Sequence, residues 1–110
     1  MKFSGKERRQ HPRVPVTARV TIESSGHDAY YFTKDLSLGG AGLISDDPIP
    51  IGTYIDIELS VTGVQRLIRA QGKVVRHFYT PEKGFGVFFT RFQPHSLRRL
   101  EKALEKMAKV

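Results

Sequence analysis

Strict alternation of apolar and polar side chains is the feature that most constrains the fold of this chain. Residues 14–22 (VPVTARVTI) place an apolar side chain at every second position, and residues 54–61 (YIDIELSV) repeat the pattern. Successive side chains of a β-strand point to opposite faces, and β-branched residues favour strands. Both stretches are therefore predicted to be strands with one buried face.

Further strand-like stretches follow the same logic and are separated by short turn sequences rather than by helices. These stretches are residues 29–38, 41–45, 64–79 and 84–92. Gly39, Gly40 and Gly42 are expected to break or sharply bend the ladder, and Gly72 is expected to mark a bulge. About six strands joined by short turns favour an all-β antiparallel barrel or sandwich.

The C-terminal residues 94–110 change to a helical period. Leu97, Leu100, Leu104 and Met107 recur at three- and four-residue spacing, and arginine, lysine and glutamate occupy the other face. This pattern predicts an amphipathic helix opened by Pro94, with an apolar stripe that covers one end of the β structure. Dimerisation and contact with a membrane surface are the alternatives for that stripe.

The composition narrows the class of protein and of partner. The chain has 110 residues, enough for one domain. It has no cysteine, so disulfides and thiolate metal sites are excluded. No apolar run approaches the ~18 residues of a membrane span, and the N-terminus lacks the apolar segment of a signal peptide. We expect a cytoplasmic protein. The formal net charge of +7 favours an anionic partner.

Catalytic chemistry finds little support in the sequence. The four histidines, His11, His27, His77 and His95, do not stand in a metal-ligand spacing. Ser37 does not lie in the G-x-S-x-G motif of hydrolases. We therefore expect no enzyme activity, no metal site and no cofactor.

The arginine-rich segment near the N-terminus is a better candidate for binding. Arg9 and Arg13 stand four residues apart, Arg8 precedes them, and prolines near Arg13 favour extended backbone. Each guanidinium can meet a phosphate, or the O6/N7 edge of guanine, with two parallel hydrogen bonds. We interpret residues 1–13 as a flexible basic arm, and a solvated arm without a specific ligand is the simpler alternative.

A second short motif, D-x-S-x-x-G, follows at Asp35, Ser37 and Gly40. On a strand, residues two apart share a face, so Asp35 and Ser37 are expected to point together while Leu36 and Leu38 face the core. The carboxylate can accept hydrogen bonds from guanine N1–H and N2–H₂, and the hydroxyl can donate to phosphate. The glycine allows a tight turn or the close approach of a ligand to the backbone.

Together these motifs resemble the two signatures of the PilZ domain family, R-x-x-x-R and (D/N)-x-S-x-x-G. Arg9 and Arg13 match the first signature, and Asp35, Ser37 and Gly40 match the second without departure. The strand order, the "GKVVRH" and "GFGVFF" stretches and the terminal helix are also similar to the family over nearly the whole chain. The resemblance implies a six-stranded antiparallel β-barrel with a C-terminal helix. It also implies a receptor for the bacterial second messenger cyclic di-GMP.

The resemblance extends to the arrangement of the ligand. Arg8 directly before the first motif arginine is similar to family members that bind a stacked ligand dimer, which predicts two cyclic di-GMP molecules per chain. Gly39 and Arg76 are further candidates, Arg76 because its strand can face the same surface. The arm is expected to close over the ligand and thereby signal to a downstream protein partner that the sequence does not name.

These interpretations divide the chain into an arm (residues 1–13), a barrel (14–93) and a helix (94–110). Two other functions stay open. One is a small basic barrel that binds RNA or single-stranded DNA through stacked aromatic side chains. Its candidate residues are Tyr30, Tyr31, Phe32, Phe78 and Tyr79. The other is a protein-interaction module without a nucleotide ligand. The acidic–hydroxyl motif argues against nucleic acid, because a groove that tracks phosphates does not need a carboxylate.

Overall fold

Six antiparallel strands close into a barrel in the computed structural model, which describes residues 16–108. The elements are β1 (Val16–Ile22), β2 (Asp28–Leu36), β3 (Gly40–Ile44), β4 (Tyr54–Val61), β5 (Ile68–Phe78), β6 (Gly84–Phe92) and α1 (Ser96–Ala108). The order around the barrel is β1-β2-β3-β6-β5-β4, and pairing of β1 with β4 completes the circle. The predicted barrel is confirmed, whereas the arm, residues 1–13, lies outside the described residues.

The alternation that predicted the strands also builds the core. Every second side chain of β4 is buried, as are the inward-facing side chains of β1. These residues are Val16, Ala18, Val20, Ile55, Ile57, Leu59 and Val61. The register joins them across the closing seam, with Val20 opposite Ile57. Burial of each valine, leucine or isoleucine side chain contributes about 1.5–3 kcal/mol, so this face stabilises the barrel substantially.

The second strand ends two residues earlier than predicted. β2 ends at Leu36, and residues 37–39 form a bend rather than a strand. Leu38 therefore does not face the core and is 44% exposed, whereas Leu36 packs against the core as predicted. Gly40 and Gly42 do not break the ladder either, because both lie within β3 and pair with β6.

The helix begins two residues later than predicted, at Ser96 rather than Pro94. Ser96 Oγ accepts a hydrogen bond of 2.9 Å from the backbone N–H of Arg69, which fixes the start of the helix against β5. Leu100 is fully buried in the barrel core, as the predicted stripe requires. Leu97 is instead 43% exposed, whereas Ala103, which was not part of the predicted stripe, is buried in the core.

Charged side chains on the outer surface of the barrel form a series of ion pairs across neighbouring strands. Arg19 pairs with Asp28 and Glu58, and Glu58 also pairs with Arg69, all at 3.0–3.1 Å. The hydrogen bond to Asp28, supported by Glu58, raises the pKa of Arg19 above its ordinary value. Exposed pairs of this kind add little stability. Within residues 16–108 no helix is long and apolar enough to cross a membrane.

Candidate functional site

Two adjacent strands of the barrel carry glycine where their side chains would point outward. Gly40 and Gly42 lie on β3, Gly84 and Gly86 lie on β6, and Gly42 is the cross-strand partner of Gly86. Residues two apart on a strand share a face, so these four residues form a patch of the outer face that has no side chains of its own. We call this patch the glycine floor.

Side chains from the flanking strands lie over the floor. Asp35 of β2 covers Gly42, whose N–H donates a hydrogen bond of 2.9 Å to Asp35 Oδ1. Arg76 of β5 covers Gly86, where a β-carbon would stand 3.0 Å from both Cγ and Nε of the arginine. The floor thus has a carboxylate on one side and a guanidinium on the other. Within residues 16–108 Arg76 forms no ion pair with a carboxylate.

Both of these side chains owe their outward direction to a β-bulge. The register shifts between Thr33 and Asp35 on β2, and between Val74 and Arg76 on β5. Unbroken alternation from the buried Val74 would bury Arg76, but the extra residue Val75 turns Arg76 to the outside. A further shift between Gln71 and Gly72 confirms the bulge predicted at Gly72.

Ser37 occupies the bend that links β2 to β3. Its Oγ accepts from the N–H of Gly39 at 3.2 Å, and its own N–H donates to the carbonyl oxygen of Gly40 at 2.9 Å. Gly40 is required by space, because a β-carbon there would overlap the carbonyl oxygen of Val87. The D-x-S-x-x-G spacing therefore builds a tight turn that brings the hydroxyl beside the carboxylate.

These residues surround one cleft of about 180 Å³. It is lined by Asp35, Ser37, Gly40, Ala41, Val75, Arg76, Gly86 and Val87. The structure thus places four of the predicted site residues around the same cleft, while Gly39 stands just outside its lining. Arg8, Arg9 and Arg13 lie outside the described residues.

The cleft offers donors and acceptors at fixed positions above the backbone of Gly40 and Gly86. A carboxylate beside a hydroxyl can recognise a donor edge such as that of guanine, and a guanidinium can form a fork with phosphate. A second cation stands nearby, since Lys34 Nζ lies 4.4 Å and Arg76 Cζ 5.4 Å from the centre of the Phe78 ring. An anionic, planar ligand with hydrogen-bond donors suits this combination.

The part played by Gly42 and Gly86 was missed from the sequence. Their signal was present as a G-x-G pair in each strand, at 40–42 and 84–86. Such a spacing puts both glycines of a pair on one face of a strand. What the sequence did not show is that the two strands are neighbours, which brings the pairs together.

The aromatic residues of the nucleic-acid alternative do not all face outward. Tyr30, Phe32 and Tyr79 are 64–71% exposed. Tyr31 instead packs edge-to-face on buried Phe85 at 5.2 Å, and burial, followed by the charge of Asp47, raises its pKa. In the described part of the chain, no group of three or more His, Cys, Asp or Glu side chains is arranged to hold a metal ion.

Gly42→Ala is expected to weaken ligand binding at the cleft while leaving the barrel folded. The new β-carbon would stand 2.9 Å from Asp35 Oδ1, so the carboxylate must move from its hydrogen bond with the backbone. Gly39→Ala is the matched control for the position of Asp35, because its β-carbon would meet only Ser37 Oγ at 3.9 Å and leave the carboxylate in place. Chemical shifts around Asp35 and thermal melting measure both effects. An unchanged Asp35 environment in Gly42→Ala would contradict the assigned contact.

Solved structures share this fold at low sequence identity. The Bacillus subtilis inhibitor of motility MotI/DgrA matches with a TM-score of 0.71 and 12% identity over 91% of this chain and 53% of its own. MrkH, described as a c-di-GMP-dependent transcription regulatory factor, matches with a TM-score of 0.66 and 17% sequence identity. The match covers 90% of this chain and 48% of MrkH. The chain thus spans about half the length of both. The PilZ domain of YcgR from Escherichia coli, solved with c-di-GMP, matches with a TM-score of 0.57 and 18% sequence identity. The match covers 91% of this chain and 93% of that domain.

Comparison at the level of sequence identifies the family of the chain. No curated protein sequence matches it significantly. The model of the PilZ domain matches residues 7–106, which include both the arginine-rich segment and the cleft. With nearly the whole chain covered by this match, and with a closed six-stranded barrel as its fold, the chain belongs to the PilZ domain family.

Proposed function

We propose that this protein is a cyclic di-GMP receptor whose ligand lies on the glycine floor. The observation that carries the proposal is the convergence of Asp35, Ser37, Gly40 and Arg76 on one cleft in a PilZ domain. The YcgR domain solved with c-di-GMP supports the choice of ligand by similarity of fold. The proposal assigns binding roles to these residues and no catalytic step.

In the proposed complex Asp35 accepts from the N1–H and N2–H₂ of one guanine, and Ser37 donates to a phosphate oxygen. Arg76 adds positive charge on the opposite side of the floor. A cleft of about 180 Å³ is smaller than the ~300–1,000 Å³ of typical ligand pockets, so most of a cyclic dinucleotide must lie outside it. We assign Arg8, Arg9 and Arg13 to cover that outer part.

Signalling follows in this proposal from closure of the arm. Residues 1–13 would gain contacts with phosphate and guanine only when ligand is bound, which gives the bound and free states different surfaces. A downstream protein that distinguishes these surfaces would receive the signal. The mechanism therefore needs a partner that contacts the barrel or the helix.

Calorimetric titration with cyclic di-GMP is expected to show saturable binding. Cyclic di-AMP should bind more weakly, because adenine reverses the donor pattern that arginine reads at guanine O6. Linear di-guanylate and GTP, which keep guanine but not the cyclic dinucleotide, serve as further controls and should also bind more weakly. Asp35→Ala and Ser37→Ala should reduce affinity without unfolding the barrel. Absence of heat at ligand concentrations of hundreds of micromolar would refute the proposal. Binding of oligonucleotides with a steep salt dependence would instead support the nucleic-acid alternative.

The same titration tests the number of ligands. We expect two cyclic di-GMP molecules per chain, because three arginines in the arm exceed what one ligand on the cleft requires and guanidinium planes stack well on bases. Arg8→Ala should move the ratio from two towards one and keep part of the affinity. A wild-type ratio of one, measured well above the dissociation constant, would exclude the stacked pair but leave the receptor proposal intact.

A further inference from the structure

A second concave surface lies between the β4–β5 turn and the C-terminal helix. It has a volume of about 310 Å³ and is lined by Gly63, Val64, Gln65, Arg66, Arg99, Lys102, Ala103 and Lys106. Four of these eight residues are cations and none is a carboxylate. We call this surface the basic groove.

The charged residues of α1 line two different surface pockets. Arg99, Lys102 and Lys106 follow each other at three- and four-residue spacing and line the basic groove. Glu101 and Glu105 line a different surface pocket, which Lys102 also borders. Neither glutamate lines the basic groove, so the charge within the groove is positive.

Within residues 16–108 the cations of the groove form no ion pair with a carboxylate. Arg99 is held in place instead by a 3.2 Å hydrogen bond from its Nη1 to the carbonyl oxygen of Leu67. Like charges gathered around one concavity repel each other, so an anionic partner would relieve that repulsion.

The basic groove is separate from the ligand cleft. The β4–β5 turn leads into the start of β5 at Ile68, whereas the cleft lies near the other end of the strand at Arg76. Eight residue steps at about 3.3 Å each put these two strand positions ~26 Å apart. A partner in the groove would therefore not compete with a ligand in the cleft.

We infer that the basic groove docks an acidic segment of a partner protein, with the carboxylates of the segment on the four cations and an apolar side chain on Val64. Val64 is half-buried, whereas Ala103 belongs to the core. The apolar surface at Val64 decides between anionic partners, because a phosphate backbone has no apolar group to place on it. Among residues 16–108 the groove also has no aromatic lining for nucleobases, and its concave shape does not fit a flat membrane surface. The inference does not depend on the identity of the ligand in the cleft.

Fluorescence anisotropy tests this inference with a labelled peptide of glutamates around one central leucine. The full-length protein should bind it saturably, and the double variant Lys102→Glu/Lys106→Glu should lower the affinity by about tenfold or more. Lys83→Glu/Arg98→Glu is the matched control, since it changes the net charge equally at exposed residues outside the groove. It should stay within about twofold of wild type. Replacing the leucine of the peptide with serine should weaken binding severalfold.

Three results would overturn the inference. Equal losses in both double variants would show general attraction by the positive charge of the protein. Tighter binding of oligodeoxythymidylate or anionic phospholipid vesicles than of the peptide, lost in the groove variant, would assign the groove to a phosphate-bearing partner. No peptide binding by folded wild-type protein would remove the acidic segment as its occupant. Circular dichroism and thermal melting confirm that each variant is folded.

Discussion

Replacing Arg9 and Arg13 together with alanine is expected to weaken cyclic di-GMP binding by about a hundredfold or more. Each guanidinium that forms a bidentate contact with guanine or phosphate contributes about 1–3 kcal/mol, which is tenfold to a hundredfold in affinity. The two losses should add if the arginines meet separate groups of the ligand. Calorimetric titration of the wild type and the double variant measures the change directly.

Two further variants separate geometry from charge. Lysine at both positions keeps the charge but cannot form the planar fork, so it should restore little of the affinity. Arg91→Ala/Arg98→Ala removes the same charge from exposed positions outside the cleft and should bind nearly as the wild type does. Wild-type affinity in a folded Arg9/Arg13 double variant would disprove the roles assigned to the two arginines.

Phe85→Ala is expected to cause the largest loss of stability. Phe85 is fully buried, lies opposite Leu43 in the register, and meets the ring of Tyr31 edge-to-face. Truncation of a buried phenylalanine costs about 3–5 kcal/mol, a large part of the ~5–15 kcal/mol that stabilises a typical domain. The melting temperature should fall by more than about 10 °C, and urea unfolding should show the same loss.

Phe88 provides the matched control on the same strand. It is 55% exposed, so Phe88→Ala should change the free energy of unfolding by no more than about 1 kcal/mol. The comparison holds the residue type, the strand and the substitution constant and changes only the side of the barrel. Similar destabilisation by both substitutions would mean that the inward and outward faces of β6 are assigned incorrectly.

The regular parts of the fold could be predicted because their signals are local. The alternation in residues 54–61 and the aromatic stretch 84–92 gave the bounds of β4 and β6 to the residue. The helical period was also sufficient to identify Leu100 as a core residue. In each case a repeated spacing recorded which side chains face inward, and no knowledge of distant residues was needed.

The parts that could not be predicted lie where a bend or bulge interrupts the alternation of inward and outward side chains, or where strands distant in sequence pair. Leu38 continues the apolar alternation of β2 but follows the bend at Ser37, so it is exposed. The bulge at Val75 shifts the phase of β5, and periodicity alone would have placed Arg76 inside. Gly42 and Gly86 are partners only because β3 and β6 are neighbours, a pairing across more than forty residues of chain.

The glycine floor has a consequence for the entropy of binding. A ligand that orders a flexible side chain loses roughly 0.5–1.5 kcal/mol for each one immobilised. Gly40 and Gly86, the two floor glycines that line the cleft, have no rotamers to lose, so contact with them carries no such cost. The conformational penalty of ligand binding then falls on the few side chains that close around the ligand. A substitution that orders those side chains in the free protein can accordingly raise the affinity, even when every contact in the complex stays the same.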